Sequence, residues 1–515
     1  MGYNGQTYTI NYAAGGYQYA PRIDSVPPSA FVGESQNFNC ANDGKHKRGG
    51  TSYVYEDIVV GSPRIMGMTE YKLPLKTYRV FGASDGKVYK NELVSIKSGM
   101  STTNHYSFAV MDGELYITDG ETTPQTWDGA TDSTANITSP SLDWATDAPI
   151  AFIVHGKGAS QRLWAIRSKG VDYSSLNNGK EFNGGTSGFI PVETGDDTGI
   201  VGGVELGDRI ILFGRKKAFI IDDEDVDTGN WGYQAAQWEG GAANHRMIVR
   251  TPNDVFVGTT DGDFYTISAV QSYGDYKKAS VARPAMIDRF MREKVFMANV
   301  ADFHAVYDAR LQAIKVFVAM DGSTTVNGAL VYFFDRDPAE SWSIHKNEDY
   351  ASGYDASCSA AVEGATGTPY VLTGDYDGRI WRLEDQSYSD NGNPYSLILR
   401  KPGMVVDNIR GRKEFKRTIY QAEGGGYTDI TCTSYIDGEE VVERDEQFND
   451  GAPVWGEIVW GEFVYGSGIP KRFASEIGGK GIAVETKIEH TTAGQPFAVH
   501  TQQIDYKPIG ASPEK

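Results

Sequence analysis

Cysteine is scarce in this chain: Cys40, Cys358 and Cys432 are the only three in 515 residues. They are too few and too widely spaced for a disulfide framework or a thiolate zinc site, so assembly in a reducing compartment is expected. No apolar run approaches the length of a membrane span. The opening MGYNGQTYTINYAAGG has neither the basic region nor the apolar core of a signal peptide. Export by the general route is therefore not expected, and the sequon Asn136-Ile137-Thr138 is expected to carry no glycan. Positive charge is also short, with 48 Lys and Arg against 68 Asp and Glu and a formal charge of -20. Affinity for nucleic acid is dominated by neutralising backbone phosphates, so any contact with DNA is expected to be non-adhesive.

Motifs of covalent chemistry are missing as well. There is no phosphate loop, no dinucleotide glycine fingerprint opening a helix and no His-Glu-x-x-His. Gly82-Ala83-Ser84-Asp85-Gly86 spells a nucleophile elbow, Gly-x-Ser-x-Gly. An elbow needs a strand feeding a helix, and this string sits between two strand-like runs, so Ser84 reads as a turn residue. The eight histidines, His46, His105, His155, His245, His304, His345, His490 and His500, are scattered singly without ligand spacing. No catalytic residue, no cofactor and no enzymatic activity are expected. The one metal candidate is Asp222 to Gly229, where Asp223, Asp225 and Asp227 occupy the first, third and fifth positions of a calcium loop. Thr228 stands where that loop needs Gly, and Gln234 where a bidentate Glu closes it, so a solvated acidic loop is the simpler reading. No clean Asp-box of the sialidase type occurs, and Trp127-Asp128 lacks the Gly-His partner of WD40 blades.

What the chain does have is glycine, tyrosine and repetition. Sixty Gly and thirty Tyr, with 40% hydrophobic residues, suit a sheet protein with many tight turns. In Ser107 to Thr118 an apolar run, Phe108-Ala109-Val110-Met111, meets Asp112-Gly113 and then Leu115-Tyr116-Ile117-Thr118: strand, turn, strand. The pattern returns around Asp85-Gly86, Asp261-Gly262 and Asp377-Gly378, and more loosely around Lys169-Gly170, Phe213-Gly214 and Asp321-Gly322. Seven units at intervals of roughly 35 to 60 residues match the repeat of four-stranded propeller blades. Residues 1–50, with Gly15, Gly16, Pro21, Pro27 and Pro28, read as an extended arm. Residues 51–402 carry the hairpins of a propeller of about seven blades, and 403–510 carry longer alternations, such as Ile430 to Ile436, that suit a separate β-sandwich. Residues 511–515 read as a frayed tail. Asp119 to Asp147 reads as a polar surface loop. Pro284 to Glu293 reads as a short helix between the fifth and sixth blades, burying Met286, Ile287, Phe290 and Met291. The basic turn Lys45-His46-Lys47-Arg48 reads as a solvated hairpin tip, with Lys45, Lys47 and Arg48 as candidates for contact with a subunit or partner.

Val26-Pro27-Pro28-Ser29-Ala30, Asn37-Phe38-Asn39 and Gly44-Lys45-His46-Lys47-Arg48-Gly49-Gly50 together resemble the opening of the tail nozzle proteins of short-tailed bacteriophages, the tail tubular protein B or packaged-DNA stabilisation family. Gly49 stands where that family usually has Pro. Pro124-Gln125-Thr126-Trp127-Asp128-Gly129 is similar to an internal step of the family, and Lys416-Arg417-Thr418-Ile419-Tyr420, Gly494-Gln495-Pro496-Phe497 and Ile504-Asp505-Tyr506-Lys507-Pro508 to its closing sandwich. The resemblance implies a non-enzymatic virion protein of the tail, assembled in the host cytoplasm. It further implies a homohexameric ring below the portal and adaptor proteins that also meets tail fibre or needle proteins, retains packaged DNA and channels it without specific binding. In such a ring the lumen is expected to be acidic or neutral, with Asp222 to Asp227 a candidate lining, and the basic turn is expected to point away from the axis. Two other readings of the residues stay open: a carbohydrate-binding or carbohydrate-cleaving propeller, because nine Trp and thirty Tyr offer faces for sugars, and an interaction scaffold using the propeller rim.

Overall fold

The computed structural model describes residues 5–19, 26–156, 160–196, 198–225, 227–270, 275–364, 367–407, 411–449 and 471–509. Seven four-stranded antiparallel sheets occupy residues 65–98, 107–136, 151–191, 200–235, 248–280, 304–345 and 356–385, the last completed by Gly50–Tyr53 from the beginning of the chain. The first strand of each sheet lies beside the first strand of the next, and Ala356–Glu363 of the seventh returns to Ile65–Leu73 of the first. The sheets thus close into a ring around an axis, a seven-bladed β-propeller. Gly50–Tyr53 pairs antiparallel with Ile380–Asp385 as the outermost strand of the seventh blade. Both ends of the propeller segment are therefore held in one sheet, which leaves the ring no unjoined blade.

Each repeated turn of the sequence falls in a different blade. Six of them join second and third strands; Asp112-Gly113 instead joins the first and second strands of the second blade. There Asp112 and Gly113 take φ of 51° and 75° between paired Met111 and Glu114. Two successive positive φ values make the tight hairpin whose twist matches that of the strands. The third and fourth strands of this blade, Gln125–Trp127 and Ala135–Asn136, lie inside the stretch read as a polar loop. That reading is corrected: Trp127 is buried against Tyr78 and Tyr71 of the first blade, with centroids 4.9 and 5.6 Å away. Short strands between Gly, Asp and Ser residues leave too little apolar alternation to stand out.

The helix between the fifth and sixth blades is present as Ile287–Lys294. Pro284 lies in the 3-10 turn before it, and Ile287, Phe290 and Met291 are buried. Phe290 meets the edges of Tyr17 and Tyr19 of the arm, at 6.0 and 5.6 Å, so the helix clamps the arm onto the propeller.

Beyond the ring, two further sheets pack face to face. One holds Phe38–Cys40, Lys45–Lys47, Phe497–Ile509, Arg412–Gly424 and Lys471–Gly481 in that order, with Gln6–Asn11 also on Phe497–Ile509. The other holds Leu397–Arg400, Ala483–His490, Tyr427–Ile436 and Glu439–Asn449, with Met404–Val405 at its side. The expected boundaries shift accordingly. The arm supplies three strands to the sandwich, which begins at Leu397 rather than 403; residues 511–515 lie outside the described residues. Phe415, Ile430, Cys432, Ile488, Val499 and Ile504 fill the space between the sheets. A polar knot crosses it: Gln502 Nε2 donates to Thr418 Oγ1 at 3.1 Å and to Thr486 Oγ1 at 2.8 Å, and Tyr12 of the arm donates to Gln502 Oε1 at 3.1 Å. A buried amide satisfied on both sides fixes how the two sheets and the arm register.

Candidate functional site

The basic turn is inside the molecule. Lys45 and Lys47 are 0% and 2% exposed and Arg48 is 0% exposed, so the reading of a solvated tip offered to a partner is corrected. The physical reason is strand alternation: in Lys45–Lys47 the two lysines share the inner face while His46 turns outward and pairs with Asp43 at 2.8 Å. Lys47 Nζ donates to Thr492 O at 2.8 Å, 4.5 Å from the Tyr395 ring centroid. Burial, with Arg48 adding to it, pushes its pKa down to about 7.

Arg48 is the centre of a fully buried junction. Its Nη1 and Nη2 donate to the two oxygens of Asp390 at 3.0 and 2.7 Å, its Nε to Asn37 Oδ1 at 2.9 Å, and Nη1 also to Gly49 O at 2.9 Å. Asp390 accepts in addition from Thr51 Oγ1 at 3.0 Å and Asn347 Nδ2 at 2.9 Å. The guanidinium lies 3.7 Å from the Tyr395 ring centroid and 4.5 Å from that of Tyr354. Burial opposes its charge, yet Asp390 prevails and holds the pKa above the ordinary arginine value. Tyr354 then donates to Glu384 Oε1 at 2.9 Å, which also pairs with Lys315 Nζ at 2.9 Å. Glu384 Oε2 takes Asn39 Nδ2 at 3.1 Å and the Gly49 N–H at 2.7 Å. Despite the opposing effect of burial, Lys315 and His345 hold the Glu384 carboxyl well below the usual range. Glu384 itself sits at a bulge with φ of 55°, where the closing strand slips by one residue. Arm, closing strand, sixth and seventh blades and the link to the sandwich are thus tied by one ionic network.

The calcium-loop residues are not brought together around a common point. Asp223 pairs with His155 Nε2 at 3.2 Å, Asp225 accepts from the Asp227 N–H and Asn230 Nδ2, both at 2.9 Å, and Asp227 accepts from the Gly229 N–H at 2.9 Å. Among the described residues there is no group of three or more His, Cys, Asp or Glu placed to hold a metal. The loop borders a cleft of about 660 Å³ between the third and fourth blades, lined by Arg162, Trp164 and Trp231. There, although burial opposes it, contact with Asp223 and Glu205 pushes His155 up to about 9. Ser84 lies in the hairpin between Lys76–Ala83 and Lys87–Lys90, with no helix following.

Histidines that look scattered in the sequence converge at one end of the propeller channel. His105 precedes the first strand of the second blade, His245 that of the fifth, and His304 opens that of the sixth. Arg64, just before the first blade, donates to Asp302 Oδ1 at 2.7 Å and contacts His105 Nε2 at 3.1 Å. Arg246 donates from Nη1 to Ser357 O at 3.0 Å and from Nη2 to Ala301 O at 2.7 Å. A cavity of about 430 Å³ is lined by His245, Arg246, His304, Cys358 and the first strands of five blades. Burial, reinforced by Arg246, lowers His245 to about 4 and His304 well below its ordinary value. Their position just ahead of innermost strands is the signal that marks them in the sequence.

No family model and no curated protein matches the chain. Solved structures that match are propellers or propeller-like chains at low identity. The Myceliophteria thermophila Cps50 (Swd1) β-propeller domain shares 10% identity over 65% of this chain and 99% of that one, with a TM-score of 0.42. BBS1N, solved in complex with ARL6DN, shares 11% over 66% and 99%, at 0.41. The computationally designed Ika8 protein shares 10% over 64% and 98%, at 0.36. Likenesses this distant say nothing of function.

Proposed function

We propose that the chain is a structural protein of a short-tailed bacteriophage tail, a nozzle subunit that rings packaged DNA and channels it on ejection. The observation that supports this most is where the family-like segments lie. Asn37-Phe38-Asn39 and Lys45 to Arg48 from the opening, and Lys416 to Tyr420, Phe497 and Ile504 to Pro508 from the close, meet in one sheet of the sandwich. They are hundreds of residues apart in sequence, so they act as one unit. A cavity of about 430 Å³ in the propeller channel is of small-molecule size. In this reading DNA passes between copies, and the conduit requires a closed ring. Mass photometry of the purified chain with and without portal and adaptor proteins tests it: a particle near six times 56.3 kDa, alone or on the portal template, is expected. A chain that stays monomeric in both conditions refutes the reading.

A second reading, a carbohydrate-binding propeller, is favoured by one observation. The cleft between the third and fourth blades carries Trp164 and Trp231 stacked at 5.6 Å beside Arg162 and Asp223, and the Trp164 Nε1 is buried without a partner. A glycan array separates the two readings, since saturable sugar binding at this cleft is expected only of the second.

A further inference from the structure

One end of the propeller channel holds a guanidinium, that of Arg246, at the wall of the cavity. Arg246 uses two of its five N–H donors on the carbonyls of Ser357 and Ala301, and no carboxylate pairs with it among the described residues. The nearby acid, Asp302, is engaged by Arg64 and His105. Arg246 is half-buried at the wall of the cavity, and partial loss of water without a paired carboxylate lowers even this arginine, to about 10. Around the same cavity two imidazoles offer complementary atoms. His245 Nδ1 accepts the Gly203 N–H at 3.4 Å, which puts its proton on Nε2 as a donor. His304 faces the Asp302 carbonyl through Nδ1 at 3.3 Å and stacks on Phe317 at 4.7 Å; its Nε2 is then a bare acceptor, buried and without a partner. His304 is 2% exposed.

We propose that this channel end is a binding site for a protonated oxyanion of the hydrogenphosphate type. The oxygens of such an anion accept from the free N–H groups of Arg246 and from His245 Nε2, and its one O–H donates to His304 Nε2. A carboxylate or sulfate at neutral pH supplies the acceptors but not the donor. The cavity of about 430 Å³ takes the anion with water or with a small organic group attached, so the shared chemistry is a phosphate group, either free or as a phosphomonoester. The site stands apart from the nozzle reading, because it lies within one propeller and needs no second copy.

Isothermal titration of the full chain at pH 7 and constant ionic strength tests it, with inorganic phosphate, sulfate, glycerol phosphate and chloride as titrants. One saturable phosphate site per chain is expected, with sulfate at least about tenfold weaker for want of the donated hydrogen bond to a buried acceptor. Tighter binding of glycerol phosphate than of phosphate identifies the phosphomonoester as the ligand, and the reverse order identifies the free ion. Arg246→Gln is expected to weaken phosphate by about tenfold or more, in line with loss of a charge-assisted contact. His304→Phe keeps the stack on Phe317 and is expected to erase the preference for phosphate over sulfate, a ratio that general loosening of the fold does not change. Absence of saturable phosphate binding, equal binding of sulfate by the native chain, or an unchanged phosphate-to-sulfate ratio in His304→Phe overturns the proposal, and the last two tests hold even where Arg246→Gln fails to fold.

Discussion

Arg48→Met removes the charge at the centre of the buried junction and tests whether it holds arm, propeller and sandwich together. Both partners of the Arg48–Asp390 pair are 0% exposed, so neither solvent nor salt screens it. After the substitution Asp390 keeps Thr51 and Asn347 but loses two charge-assisted bonds, and Asn37 Oδ1 still accepts the Lys346 N–H at 2.9 Å. The dominant cost is therefore one uncompensated buried carboxylate, about 3–5 kcal/mol. Loss of the contacts over Tyr395 and Tyr354 adds about 1 kcal/mol, partly recovered by the methionine. Replacing both charges, Arg48→Met with Asp390→Leu, leaves no unpaired buried charge; the Thr51 hydroxyl loses its acceptor and the Gly49 carbonyl its Arg48 donor, while Asn347 Nδ2 still reaches Pro394 O at 3.2 Å. The double variant is expected to lose only about 1–2 kcal/mol. Urea unfolding of the native chain, both single variants and the double variant closes the cycle. A loss below about 1 kcal/mol in Arg48→Met, or a double variant as unstable as the sum of the singles, refutes the reasoning.

The remaining predictions concern protons inside the fold. Burial pushes the Lys47 pKa down to about 7 in the folded chain, against 10.5 for an ordinary lysine, so the unfolded chain binds the extra proton between these values. Stability therefore rises with pH across that window, by about 1.4 kcal/mol per pH unit from this group. Lys47→Met is expected to flatten that rise, read as the urea midpoint at pH 7.5 and 9.5. His155 has the opposite sign. Against the effect of burial, Asp223 and Glu205 push its pKa up to about 9, above the ordinary histidine value of 6.5, so its contribution is full below 6.5 and fades as pH passes 9. His155→Gln is expected to destabilise by about 1–2 kcal/mol at pH 6, the shift being discounted for partial exposure of Glu205, and by little at pH 9.5; equal losses at the two pH values refute it.

Turn chemistry made the propeller legible. The glycine of six of the seven repeated pairs takes positive φ, Gly214 being the exception, and every repeated turn in the sequence lies in a blade of its own. Pro284 and the spacing of Ile287, Phe290 and Met291 marked the one α-helix among the described residues for the same local reason. What failed was non-local. The outer half of the second blade was hidden because a two-residue strand such as Ala135–Asn136 has no periodicity to detect. The arm looked irregular because two of its short strands, Gln6–Asn11 and Lys45–Lys47, gain their hydrogen bonds from Phe497–Ile509, almost the whole chain away, and the third, Phe38–Cys40, pairs only onto Lys45–Lys47.

The misreading of the basic turn follows from the same limit. Lysine and arginine side by side are far more often solvated than buried, and only the fold supplies what reverses that rule here: Asp390 some 340 positions on, Tyr395 near it, and Thr492 in the loop before Phe497–Ile509. Ring closure explains why so much charge is placed at this point. The outermost strand of the last blade is donated by Gly50–Tyr53, so the ring stays shut only while that strand stays docked. The strand itself is four residues long, and its hydrogen bonds alone hold it weakly. Arg48 and Thr51 at its start, joined to Asp390, and Gly49 joined to Glu384 tie its entry to groups that have no competing partner in water. A guanidinium that takes both oxygens of one carboxylate specifies the register of that strand, where an apolar anchor would tolerate a slip of two. The charges at residues 45–48 thus serve closure of the propeller and attachment of the sandwich, and none of Lys45, Lys47 and Arg48 is exposed for contact with another molecule.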